Sequence, residues 1–164
     1  MKFLRPLAAL ISAATVSVAP ALASIDPYTP ALLQTVRRHG AKVLLNPPVC
    51  DGRFLGSYNS LHQELTVCYT KPTTARDHDT VRHEAFHHAQ SCAADRNGHG
   101  HQVMPILTGP ALRSFVTNVL SDDQIVDIKG NYPKHMWLSE MEAFAAAQHY
   151  SSEQMARIVE INCS

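Results

Sequence analysis

Residues 80–94 read Thr-Val-Arg-His-Glu-Ala-Phe-His-His-Ala-Gln-Ser-Cys-Ala-Ala, with neither glycine nor proline and mostly helix-compatible side chains. The stretch predicts a helix, and near its start His83-Glu84-Ala85-Phe86-His87 spells the pattern HExxH. Helical residues four apart differ by a net rotation of ~40° and a rise of about 6 Å, so both rings leave the same face. Two imidazoles placed this way can reach one metal ion at about 2.0–2.1 Å from nitrogen. Glu84, next to His83, can touch a metal-held water without being a ligand, which makes it the expected general base. His88 follows His87 but points about 100° away, and a surface position is expected for it.

Working outward, Thr29 reads as an N-cap with Pro30 at the first helical position and Gly40 as the stop after Ala31–His39. Lys42–Leu45 reads as a strand broken by Asn46-Pro47-Pro48, and Phe54–Tyr58 and Leu61–Tyr69 read as a hairpin around Asn59-Ser60. Lys71–Asp79, polar and containing Pro72, reads as a loop. Beyond the histidine-rich helix, the Gly- and Pro-rich segment Asp95–Pro110 is expected to be a surface loop carrying His99 and His101, which stand as remote alternatives for a third metal ligand. Leu112, Phe115, Val116, Val119 and Leu120 give Ala111–Leu120 the spacing of an amphipathic helix. Ser121 with Gln124, and Ser151 with Gln154, have the spacing of capping boxes opening two further helices, one ending at Gly130 and one running to Cys163. Between them Lys134–Tyr150 reads as one long helix after Pro133. His39, His62, His78 and His149 show no partner pattern. The expected class is α+β: an N-terminal helix and a small antiparallel sheet, then the HExxH helix and C-terminal helices.

Lys2 and Arg5, the apolar stretch Leu7–Val18 and Ala21-Leu22-Ala23 spell a signal peptide over 1–23, leaving a single domain over 24–164. The apolar run falls well short of the roughly 20 residues a membrane span needs, so a secreted or periplasmic protein is expected. In such a compartment an even number of cysteines implies disulfides, and of the three pairings open to Cys50, Cys68, Cys92 and Cys163, Cys50–Cys68 with Cys92–Cys163 is favoured. The chain carries 14 Lys+Arg against 14 Asp+Glu, and this balance offers no basic field for nucleic acid.

A catalytic zinc takes three protein ligands and leaves a place for water. The extended pattern HExxHxxGxxH is excluded, because Gln90 and Ala93 stand where it needs Gly and His. The segment Trp137–Ala145 places Glu140 and Glu142 among Trp, Leu, Met, Phe and Ala, where a carboxylate is costly to bury without a cation. One of the two is expected to face solvent. Here the chain resembles gluzincin-type metallopeptidases, whose third ligand often stands in a Glu-x-x-Ala pattern. The resemblance implies Glu140, followed by Ala143, as the third ligand beside His83 and His87, with Glu142 as the alternative. The wider order Cys50, Cys68, His83–Cys92, Glu140–Ala143, Cys163 is similar to that of small secreted HExxH proteins of unassigned substrate. One departure concerns the aspartate that often follows the third ligand and orients a zinc histidine. Ala143, Phe144 and Ala146 occupy the corresponding places, so that support has to come from elsewhere. Peptide hydrolysis also needs a donor for the developing oxyanion, and Tyr132 and His135 are the candidates. The resemblance therefore implies a small, monomeric, secreted zinc metallopeptidase with a zincin-like fold, acting on peptide or protein substrates. The rival expectation is a non-catalytic exported zinc-binding or interaction domain with the same fold.

Overall fold

The structure is a computed structural model, and it describes residues 26–52, 54–70 and 74–164. The signal segment expected over 1–23 lies outside these residues. Helix α1 (Thr29–Arg38) opens with Pro30 in its first turn, but its N-cap is Tyr28, one residue before the expected Thr29. The Thr29 hydroxyl turns inward instead, 2.7 Å from His78 Nδ1. Gly40 ends the turn at φ +98°, a left-handed conformation that only glycine adopts without strain.

Strands β1 (Lys42–Leu45), β2 (Gly56–Asn59) and β3 (Glu64–Val67) form a sheet in the order β1-β3-β2. β2 and β3 are the expected antiparallel hairpin, with Tyr58 opposite Leu65, but β1 runs parallel to β3, so the sheet is mixed rather than antiparallel. Burial accounts for the strand order: Leu65, Thr66 and Val67 are all buried, so β3 takes the centre and β1 lies on the side of it away from β2. The strands are also shorter than expected, since Asn59 still pairs with Glu64 and the turn falls on residues 60–63.

Helix α2 (Ala75–Arg96) starts five residues before the predicted Thr80, within the segment expected to be a loop. Thr74 is the N-cap, and the Asp77 carboxylate accepts from the Thr74 amide at 2.5 Å, the reciprocal bond of a capping box with aspartate in place of glutamate, and also from the Thr74 hydroxyl at 2.9 Å and the Thr70 amide at 3.0 Å. Helices α3 (Gly109–Val119) and α4 (Asp122–Asn131) follow, α4 with the expected Ser121–Gln124 box. The long helix expected over 134–150 is divided. Lys134–Met136 form a 3-10 turn and α5 spans Trp137–His149, with the Trp137 indole N–H donating to the Tyr132 carbonyl at 2.8 Å. Helix α6 (Ser152–Cys163) has the expected Ser151–Gln154 box.

Two apolar clusters meet on α5. The larger joins Leu32 and Val36 of α1, Leu65 and Val67 of β3, Val81, Ala85 and Ala89 of α2, Ala143 and Ala146 of α5, and Met155 and Val159 of α6. The smaller joins Leu112 and Val116 of α3 and Ile128 of α4 with Met141 and Ala145 of α5. Alanines on both sides of the α2–α5 contact let the two helix axes come close. Arg82 ties the same helices together, its Nε donating to the Ala147 carbonyl at 2.8 Å while its guanidinium pairs with Asp26 and Asp79.

Both favoured disulfides form. Cys50–Cys68 fastens the β1–β2 connection to the end of β3, and Cys92–Cys163 fastens α2 to the last residues of α6. With separations of 18 and 71 residues, the chain-entropy relation gives stabilisation of about 3 and about 4 kcal/mol. Two such bonds point to an oxidising, extracellular setting. Among the described residues no helix is long and apolar enough to cross a membrane.

Candidate metal centre

The close α2–α5 packing brings one face of α2 against the first turn of α5. His83 Nε2 stands 3.3 Å from Glu140 Oε2, His87 Nε2 stands 3.4 Å from Glu140 Oε1, and the two imidazole nitrogens are 3.0 Å apart. Donors bound at about 2.0–2.1 Å to a tetrahedral ion lie about 3.3 Å from one another. The three observed separations have that size, and the nitrogen–oxygen pairs are longer than a charge-assisted hydrogen bond of about 2.7–2.9 Å. Glu140 Oε2 is buried with no hydrogen-bond partner among the described residues. A carboxylate oxygen left in that state is costly unless a cation satisfies it. His83, Glu84 and His87 also present ligand atoms within 4.8 Å of one another. The residues present therefore fit a bound metal ion, with Glu140 rather than Glu142 as the carboxylate that reaches both rings.

Electrostatics separate the carboxyl groups. Burial pushes the Glu140 carboxyl up, but the His83 and His87 imidazoles outweigh it and hold the group down at about 2. Glu84 is raised, chiefly by burial, despite the pull of the same two rings. His87 is raised, because Glu140 and Glu84 outweigh the downward push of burial.

A cavity of about 450 Å³ opens over His83 and Glu84, walled by Leu55 and Gly56 on one side and Tyr132 and Phe144 on the other. Gly56 begins the outer strand β2, and a Cβ there would lie 2.6 Å from Thr80 Cγ2 and 3.1 Å from Glu84 Cγ. Only glycine lets this strand lie so close to α2 at the level of Glu84. The Tyr132 ring sits edge-on to Phe144, 6.2 Å between centroids. Burial, with added repulsion from Glu140 and Glu84, pushes the Tyr132 phenol up to about 12, so it stays a hydrogen-bond donor at neutral pH. His135 lies in the 3-10 turn, exposed and not among the residues lining this cavity.

Two expectations are corrected. Neither Glu140 nor Glu142 faces solvent, being 3% and 0% exposed. Glu142 finds its partners in the loop before α3, accepting from the Ile106 amide at 2.8 Å and the Leu107 amide at 2.7 Å. His88 is fully buried rather than at the surface. Its Nδ1 is 3.1 Å from the Tyr58 hydroxyl, and burial pushes it down to about 4, so it packs as a neutral ring. His88 also lies beside Cys92 and Cys163, but both sulfurs are committed to the disulfide. His101 is held by Gln63 at 2.8 Å, away from the metal centre.

Gln90, read in the sequence only as the residue that excludes the extended pattern, stands at the site. Gln90 is fully buried, with Oε1 2.8 Å from His87 Nδ1. Its spacing, three residues beyond His87 and hence on the same helical face, was the available signal. No protein-family model, curated protein or solved structure matches this chain.

Proposed function

We propose that the protein is an exported zinc-dependent peptidase of the gluzincin-like kind, with His83, His87 and Glu140 as ligands. The observation that carries this reading is the convergence of those three side chains at 3.0–3.4 Å, beside a buried Glu84 and beneath an open cleft. A zinc ion in this donor set supplies Lewis acidity, polarising a carbonyl and acidifying water. The side chains do the rest. The raised Glu84 carboxyl takes the proton of the attacking water and hands it to the departing amine, the double use a general acid–base needs. The Tyr132 hydroxyl donates to the carbonyl oxygen as negative charge collects there. β2 is one of the two edge strands of the sheet and the one beside the cleft; among the described residues no strand pairs with its outer side, so that edge can pair with an extended peptide and align it across the cleft.

Metal analysis of the purified chain, joined to cleavage of an unfolded protein with and without chelator, tests the reading. The expected result is about one zinc per chain and chelator-sensitive cleavage that Glu84→Gln abolishes without releasing metal. Bound metal with no cleavage would leave the non-catalytic binding domain as the function, and Glu84→Gln cleaving at the original rate would end the catalytic role.

A further inference from the structure

We infer that Gln90 is a positioning residue that presets His87 in the metal-binding tautomer, and that Glu142 holds Gln90 in the only orientation able to do so. The inference rests on the metal-site part of the reading above and not on peptide cleavage. Gln90 Nε2 donates to Glu142 Oε2 at 2.8 Å and to the Ser139 carbonyl at 3.1 Å. The carbonyl can only accept, and Glu142 receives the Ile106 and Leu107 amides on its two oxygens, which favours the acceptor-only carboxylate, so both amide hydrogens are committed. Flipping the amide would set its oxygen against those two oxygens, a buried repulsion with nothing to offset it. The Gln90 oxygen therefore faces His87 Nδ1, 2.8 Å away, and can only accept. His87 Nδ1 must carry the hydrogen.

A neutral imidazole has one ring hydrogen, and the bond made by one nitrogen decides the state of the other. With Nδ1 protonated, His87 Nε2 presents a lone pair toward His83 Nε2 and Glu140 Oε1. The relay supplies from Gln90 and Glu142 the support that no aspartate provides here, with a neutral amide between the ring and the carboxylate. Its outer end is anchored too, because Glu142 accepts the Ile106 and Leu107 amides and so fixes the loop, α5 and α2 to one carboxyl group. His83 provides an internal contrast, since its Nδ1 has no hydrogen-bond partner among the described residues. The protein presets one ring and leaves the other free.

The test uses the whole chain, labelled with 15N at histidine and stripped of metal, at alkaline pH where the rings are neutral. Long-range 1H–15N correlation should show His87 protonated at Nδ1. Gln90→Leu should shift His87 toward the Nε2–H form and weaken cobalt or zinc binding about 10- to 100-fold. A general loss of packing would not produce that tautomer change. His87 protonated at Nε2 in the unaltered chain overturns the inference, and that measurement decides it even if Gln90→Leu does not fold. An unchanged tautomer and affinity in a folded Gln90→Leu variant overturns it equally. If the tautomer is wrong while metal still binds, only this relay falls; if the unaltered chain takes up neither cobalt nor zinc, the metal site falls with it.

Discussion

Glu84, Glu140 and Glu142 are all buried, yet each meets different neighbours and is suited to different work. Glu140 faces two imidazoles that hold its carboxyl down at about 2 against the opposing push of burial. A carboxyl held there is charged at neutral pH, which suits it to the proposed ligand role. Burial dominates at Glu84 and raises it, and a raised carboxyl is better matched to accepting and returning a proton near neutrality. Glu142 is raised by burial against three N–H donors and serves to join segments. Glu140→Gln should therefore weaken metal binding, read by competition with a chelator, whereas Tyr132→Phe should leave the metal in place. In the Tyr132→Phe variant kcat should fall on the order of 10²-fold, the usual cost of one oxyanion donor, with little change in KM. Retained kcat there would remove Tyr132 from the chemistry. Glu140 ranked above Glu142 through the resemblance to gluzincin-type metallopeptidases, whose Glu-x-x-Ala pattern is a local spacing that a sequence can show. What occupies Glu142 was not legible, since the amides of Ile106 and Leu107 carry no side-chain signature and arrive from a loop.

Elements were readable where their ends are written in side chains. The serines at 121 and 151 each found the glutamine three residues on, and β1 falls on the expected residues, with Asn46-Pro47-Pro48 breaking the strand after Leu45. The start of α2 was hidden, because Thr74 and Asp77 make the same box with a shorter acid inside a segment whose polarity and Pro72 suggested a loop. Strand order was equally hidden: β1 alongside β3 depends on which strand the core buries most, a property of the assembled sheet. The cap at Asp77 has a measurable consequence. Burial raises its carboxyl, but bonds from Thr70 and Thr74 hold it down at about 2, below an ordinary value of 3.8. A depressed carboxyl contributes stability that is fully present above its unfolded pKa and lost as pH falls through the folded one. The thermal midpoint should thus decline between about pH 4 and pH 2. Asp77→Asn should be less stable by about 1–2 kcal/mol at neutral pH and show a shallower acid decline. An identical acid profile in that variant would assign the titration to another group.

Across the whole molecule, α2 and α5 are at once the shared walls of the core and the carriers of every proposed ligand. Ala85 and Ala89 on one helix, with Ala143 and Ala146 on the other, set their separation, while the Cys92–Cys163 bond and the Arg82 contacts keep α2 in place at both ends of the site. The ion should act as a third fastening between the same two helices. Because the unfolded chain scatters His83, His87 and Glu140, a metal held by them would bind the native state selectively and stabilise it by RT ln(1 + [L]/Kd), about 4 kcal/mol at a thousandfold excess over Kd. For a domain of this size each kcal/mol moves the melting midpoint by roughly 2–4 °C, so zinc should raise it by about 8–16 °C. The rise should survive in Glu84→Gln, whose altered group is not among the proposed ligands, and disappear in Glu140→Ala, which cuts the link to α5. Scanning calorimetry of the three proteins with zinc and with chelator separates the cases. Equal midpoints with and without zinc in the unaltered chain would mean that the His83–His87–Glu140 cluster holds no ion and that packing alone brings its donors together.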